Sequence, residues 1–380
     1  MAIDETLFGK DLFGDPVIPE FSGMVAERFL ASPFSVLDTR NGEWQKRKKA
    51  WKSIGIKSEV GRAGDLTFQS KAQFFDHYRV IEGNRKSTDA QGTSIFDPFL
   101  TELMYKWFCP AQGQIIDPFA GGSVRGVVAA LLGNKYWGSD LNKLQIDENW
   151  KQAQEITPEK ITDISWVWGN SLNSIEDAPE ADFILSCPPY GDLEVYSDDA
   201  DDLSNMPHND FLDLYYKIIY RTVSKLKENR FACFVVADFR DAKGYYRNFV
   251  SETISAFEQA GAKLYNEAIL VNMVGTASLR VTRQFNAGRK LCKTHQNVLV
   301  FCKGDWRKAT ERLKDAVVPS PDLHCDTGRF DQQFTDETGS PEAKELEKEE
   351  SLTESPIMQE LGILEKEESN LNKVNNIALF

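Results

Sequence analysis

Gln114-Ile115-Ile116-Asp117-Pro118-Phe119-Ala120-Gly121-Gly122-Ser123-Val124-Arg125-Gly126 decides how this chain folds. An apolar pair runs into an acid, a proline and two glycines, and a helical apolar pattern follows. A short strand that stops in a tight turn and re-emerges as a helix is the opening half of a parallel βαβ unit. The glycines at 121, 122 and 126 lack a Cβ, so the backbone there can turn sharply and lie close to a ligand. Further on, Ala181-Asp182-Phe183-Ile184-Leu185-Ser186-Cys187-Pro188-Pro189-Tyr190 is a second apolar run, ended by a proline-locked turn. Two such strand ends facing one crevice would hold a nucleoside-like cofactor and grip a flat substrate.

Working outward, residues 97–108 carry Phe99, Leu100, Leu103, Met104 and Trp107 at helical spacing. Downstream, residues 123–132 read as a helix, Tyr136-Trp137-Gly138-Ser139 as a strand ending at Asp140, and residues 147–156 as a helix. Trp166-Val167-Trp168 is a third strand and Phe183 to Ser186 a fourth. Residues 211–226 form an amphipathic helix. Residues 231–236 are all apolar, as in a strand buried on both faces. A helix over 249–260 is stopped by Gly261, and residues 264–271 and 297–302 close the pattern as a pair of strands. Phe34-Ser35-Val36-Leu37-Asp38 is a further strand candidate. The alternation predicts an α/β fold with a mostly parallel, seven-stranded sheet and helices on both faces.

Composition bounds the rest. Of 380 residues, 41% are hydrophobic and 11% aromatic, enough for a real core. The net charge of −14 is concentrated at one end: residues 316–380 hold 15 acidic against 5 basic residues, leaving 43 against 39 elsewhere. The low pI is therefore a tail property and does not argue against a nucleic-acid partner. Six scattered cysteines with no CxxC pair suit neither a zinc site nor a disulfide framework, and no metal is expected. They fit a reducing, cytoplasmic setting. The N-terminus lacks the apolar core of a signal peptide, and no apolar run is long enough for a membrane span. The reading divides the chain into an extension over 1–90, a catalytic domain over 91–305 and a flexible acidic tail over 306–380.

The cofactor follows from charge. Asp140 lies 23 residues after Asp117, at the end of the next strand, where a carboxylate can accept both ribose hydroxyls. A dinucleotide enzyme needs G-x-G-x-x-G and a helix N-terminus free for pyrophosphate. Here Asp117 stands at the strand tip, and an acid would repel pyrophosphate. It would suit the amine and sulfonium of S-adenosylmethionine.

D-P-F-x-G-x-G followed by a P-P-Y turn resembles the amino-group DNA methyltransferases, which make N6-methyladenine or N4-methylcytosine. Among them, phage and prophage stand-alone methylases are the most similar. The resemblance covers roughly residues 91–305, including Thr93-Ser94-Ile95-Phe96-Asp97-Pro98, residues 231–241 and residues 295–303. It implies a Rossmann-like class I S-adenosylmethionine-dependent methyltransferase fold, double-stranded DNA as partner and a restriction–modification or phage setting, with a homodimer left open. It also implies a cofactor site of Asp117, Phe119, Gly121, Gly122, Asp140, Asn170, Thr93 and Ser94, with Asn170 reaching the adenine amine through its carbonyl oxygen. A loop cap is the competing reading for Asn170.

Catalysis on this reading belongs to Cys187, Pro188, Pro189 and Tyr190. The target base is flipped out, stacks on Tyr190, and gives one amine hydrogen to a carbonyl fixed by the prolines. The side chain before the prolines accepts the other. That side chain is a thiol in this sequence, where the family has Asp, Asn or Ser, and a thiol is a weak acceptor. Ser186, or Asp192 and Glu194, could take its place, or Cys187 could suffice. Cys187 also reads as a small packed residue. Loss of turnover, leaving a DNA-binding or regulatory protein, stays open, as does an RNA substrate.

Two basic stretches are candidate phosphate contacts. Between residues 275 and 295 lie Arg280, Arg283, Arg289, Lys290 and Lys293 without an acid, and Gly275 and Gly288 suggest a mobile loop. Between Trp44 and Trp51 lie Lys46, Arg47, Lys48 and Lys49, followed by Lys52. The second also reads as a solvated helix over two tucked aromatics.

Overall fold

The computed structural model describes residues 29–56, 96–190, 203–241, 243–272 and 277–313. Eight strands form one sheet: β1 (Val36–Asp38), β2 (Gln114–Asp117), β3 (Lys135–Asp140), β4 (Ile164–Trp168), β5 (Ala181–Ser186), β6 (Leu226–Val236), β7 (Ala262–Val271) and β8 (His295–Lys303). Their order is β1-β7-β8-β6-β5-β2-β3-β4. Every pairing is parallel except those of β8, which runs antiparallel to both β6 and β7. This is the Rossmann-like arrangement of the class I methyltransferase fold, one strand larger than expected. The added strand is β1, from the segment expected to be an extension.

From β2 the chain winds outward through β3 to β4. It then returns to lay β5 on the other side of β2 and winds the opposite way. The strand order reverses between β2 and β5, and at such a switch point the loops after the strands part and leave a crevice. Both motif turns leave the sheet there.

Helices cover both faces. They are α1 (Gly42–Ser53), α2 (Pro98–Phe108), α3 (Val124–Leu131), α4 (Lys143–Ile156), α5 (His208–Lys225), α6 (Phe249–Gln259), α7 (Ala277–Gly288) and α8 (Trp306–Glu311). Alternate residues of the central strands feed two cores. Ile115, Phe183, Leu185 and Cys233 enter one with α2 and α3, while Ile116, Ile184, Ala232 and Phe234 enter the other with α5 and α6. Strands buried on both faces have no reason to alternate polar with apolar residues, and the unbroken run 231–236 reflects this. β6 begins earlier than its apolar run, at Leu226, and its first half is irregular, with Asn229 at φ +58° and a register shift against β5.

The basic stretch around Trp51 is a helix over two tucked tryptophans, with one of its cations drawn inside. α1 buries Trp44, Arg47 and Trp51. The Arg47 guanidinium donates to both oxygens of Glu102 on α2, at 2.9 and 2.5 Å, and the Trp51 indole donates to the same carboxylate at 2.6 Å. Lys48 pairs with Asp97 at 2.9 Å. The helix is thus tied to the core by buried ions. Of its cations, Lys46, Lys49 and Lys52 are exposed.

Candidate active site

The first turn is built around a buried ion pair. Asp117 closes β2 and is wholly buried. Its carboxylate accepts from Arg125 Nε at 2.5 Å, Tyr136 Oη at 2.7 Å, Ser186 Oγ at 2.6 Å and the Phe119 amide at 3.2 Å. Arg125, in the first turn of α3, also donates to the Phe119 and Ala120 carbonyls, at 2.7 and 2.9 Å. Burial pulls its guanidinium down, but Asp117 beside it lifts it above its ordinary value. Burial, then the Asp117 charge, pushes the Tyr136 phenol well up. Arg125 stays charged and Tyr136 stays a donor at any working pH. The expectation that Asp117 shows its charge to a ligand is therefore corrected: Arg125 neutralises it, and its oxygens are spent on the fold.

Asp140 is the acid at the crevice. It is half-buried at the end of β3. One oxygen accepts the Gly121 amide and the other the Asn142 amide, both at 2.8 Å. Gly121 sits at φ +50°, and its carbonyl accepts from Asn149 of α4 at 2.7 Å. A Cβ on Gly122 would meet nothing within 4 Å, so this glycine borders open space. Gly126 answers to packing instead, since a Cβ there would meet the Trp166 ring at 2.5 Å.

Asn170 follows β4, and its side-chain oxygen caps the helical turn Ser171–Ser174 by accepting from Leu172 N at 3.0 Å. The capping role is present, and the oxygen expected to meet an adenine amine is already engaged. Beside it stands Trp168, 59% exposed, its indole donating to the Leu141 carbonyl at 3.0 Å. In the sequence Trp168 is legible only as part of a strand. Thr93 and Ser94 lie outside the described residues.

The second turn lies against the first, because Ser186 reaches across from β5 to Asp117. This also removes Ser186 from the candidate acceptors: its hydroxyl is buried and donates to the carboxylate. Asp192 and Glu194 lie outside the described residues. Cys187 is half-buried, with its sulfur 3.9 Å from the Tyr190 hydroxyl. That hydroxyl accepts from Gln296 Nε2, at the start of β8, at 2.8 Å, and Gln296 accepts from Asn272 at 3.3 Å. An aromatic floor joins the two turns. Phe119 stacks on Tyr215 at 6.1 Å, Tyr215 packs on Phe249 at 5.0 Å, and Phe249 meets Tyr190 at 6.1 Å.

The basic segment is corrected as well. Residues 277–288, expected to be a mobile loop, are helix α7, which includes Arg280; Gly275 lies outside the described residues. Arg283, Arg289 and Lys290 are exposed, and Lys293 is half-buried. Because the segment joins the end of β7 to the start of β8, which pairs with the end of β6, it stands at the end of the sheet where both turns leave. Among the described residues no cluster of His, Cys, Asp or Glu could hold a metal ion, and no helix is long and apolar enough to cross a membrane.

No protein-family model and no curated protein matches this sequence. Among solved structures, the chain is similar to TrmN from Thermus thermophilus, at 14% identity and a TM-score of 0.37 over 55% of this chain and 49% of that one. It thus spans about half the length of that protein. It is also similar to magnesium protoporphyrin IX methyltransferase from Synechocystis PCC 6803 with bound S-adenosylmethionine, at 13% identity and 0.36 over 61% and 92%. A candidate DNA modification methylase, also from Thermus thermophilus, is similar at 14% identity and 0.27 over 35% and 50%.

Proposed function

We propose that this protein is an S-adenosylmethionine-dependent methyltransferase that modifies the exocyclic amine of a base flipped out of DNA. One observation carries the reading. The Gly121–Gly122 turn and the Pro188-Pro189-Tyr190 turn adjoin at the β2–β5 switch point, clamped by the Ser186–Asp117 hydrogen bond. A cofactor pocket and a rigid aromatic shelf are thereby neighbours.

The residues fit the cofactor. Gly122 borders open space that a side chain would fill. Asp140 ends the strand beside that turn and accepts the Gly121 and Asn142 amides, which orients its carboxylate where ribose hydroxyls would lie. Asn170 would face the adenine through its amide nitrogen, since its oxygen caps the helical turn. When bound, the cofactor supplies an electrophilic methyl group. The protein's part is orientation: Tyr190 offers a face to the base, and the prolines fix a carbonyl that accepts one amine hydrogen. Cys187, directly before the prolines, would accept the second. Fixing the lone pair in line with the methyl is what accelerates such a transfer. No covalent bond to the protein is needed.

The weak acceptor strength of Cys187 keeps a second reading alive, a nucleic-acid-binding protein with little turnover. Labelled S-adenosylmethionine offered with separate DNA and RNA pools, followed by digestion to nucleosides, tests both. Label in N6-methyladenine or N4-methylcytosine from DNA is expected. Label from RNA alone would replace the substrate, and cofactor retention without transfer would favour the second reading.

A further inference from the structure

Beside the catalytic turn rises an arm that the chemistry above does not use. After β6, Phe239 packs 6.3 Å from the Tyr190 ring, and the chain then doubles back. Arg240 and Tyr246 form an antiparallel bridge, and the Arg247 amide donates to the Phe239 carbonyl at 3.0 Å. Asp241 accepts the Gly244 amide on its carbonyl and the Tyr245 amide on its side chain, both at 2.9 Å. Gly244 turns the tip at φ +93°. The result is a small hairpin shaped by its own hydrogen bonds, with Tyr245 73% and Tyr246 41% exposed.

Cations gather on one of these rings, Tyr246, and at the hairpin tip beside Tyr245. The Arg240 guanidinium lies 3.9 Å over Tyr246, and Lys293 Nζ is 5.9 Å from the same ring. Lys290 approaches so closely that a Cβ on Gly244 would meet its ammonium at 2.3 Å. The hairpin and the segment after α7 are therefore one surface. The hairpin sets Arg240, Lys243 and Arg247 against Asp241, and residues 283–293 include no carboxylate. An exposed ring such as Tyr245, next to a ring already capped by a guanidinium and to ammonium groups, suits nucleotides whose bases are unstacked: the rings take the bases and the cations take the phosphates. An intact duplex offers no base face to such rings.

We propose that the hairpin around Tyr245 and Tyr246 is a second nucleotide site, stacking an unstacked base near the one held at Tyr190, with Lys290 and Lys293 on its phosphates. The proposal rests on the nucleic-acid reading of the active site. Anisotropy titrations of the full chain with a labelled single-stranded oligonucleotide, and with the duplex of the same sequence, test it. Tyr245→Ala with Tyr246→Ala is expected to weaken single-strand binding about tenfold while leaving the duplex nearly unchanged. The Phe pair is expected to bind like the parent. Lys290→Ala with Lys293→Ala is expected to weaken both and flatten their salt dependence. Retention of labelled cofactor checks that each variant is folded. Unchanged single-strand affinity in the alanine pair, or equal losses on both probes, overturns the proposal. Either result can occur with methyl transfer intact, which separates this failure from that of the proposed function.

Discussion

The two turns that meet at the β2–β5 junction are built on opposite principles. The first is held by buried charge: Asp117 takes four hydrogen bonds, and Arg125 reaches from its carboxylate to two carbonyls of the same turn. The second carries ring packing, an amide donor from Gln296 and a sulfur–hydroxyl approach of 3.9 Å. Buried charges give one geometry, because every alternative leaves an ion without a partner. Ring contacts and weak polar contacts hold the tyrosine face less strictly, while the proline pair keeps the backbone beneath it stiff. A turn that cradles a small cofactor suits the first construction, and a shelf that must admit and release a base suits the second.

The largest effect that would sharpen this contrast is in the first turn. Asp117→Ala leaves Arg125 buried without its carboxylate and is expected to cost about 3–5 kcal/mol in urea denaturation. A loss below about 1 kcal/mol would break the comparison. In the second turn the expected effect moves from stability to rate. Tyr190→Ala should lower methyl transfer about hundredfold through lost positioning, with cofactor retention unchanged. A variant that stops retaining cofactor would mean the two turns are not separable.

Cys187 gives a smaller effect. Serine is a better acceptor than a thiol, so Cys187→Ser is expected to raise transfer by roughly tenfold, about the worth of one hydrogen bond. Equal rates for Cys187→Ser, Cys187→Ala and the parent would reduce the sulfur to packing. The smallest effect is at the far end of the same strand. Burial pushes the Asp182 carboxyl up, but hydrogen bonds from Lys227, the Gln114 amide and Arg230 outweigh it and hold it below the usual range. A depressed folded pKa stabilises above the unfolded value of about 4 and is lost as pH falls below it. Asp182→Asn should lower the melting temperature at pH 7 and flatten its decline below about pH 4.

Much of this was legible in the residues. The apolar runs located β2 to β8 because buried strands must be apolar, and the glycine and proline turns marked where those strands end. The adjacency of the two turns was expected from their similar build, and Ser186 supplies the bond that makes it. Less legible was where each charge points. Asp117 and Asp140 look alike as acids at strand tips, yet one is sealed in the core and the other borders the crevice. Arg47 sits among lysines in a basic run, yet alone of that run it is buried against a carboxylate, Glu102, 55 residues away. No local signal distinguishes these cases, because the partner comes from a distant element. The helix over 277–288 is a different case, where two local signals conflict: its glycines suggest a loop, while its arginines, glutamine and alanines favour a helix.

The sequence alone determined the order of strands and helices and the two turns, since periodicity and backbone freedom are local properties of the chain. Tertiary structure alone decided which acid is neutralised, which hydroxyl is spent and which aromatic rings stand in solvent beside cations. Those outcomes depend on distances between residues far apart in the chain, and the energy of a charge or a hydrogen bond is set by what lies within a few ångströms of it in space.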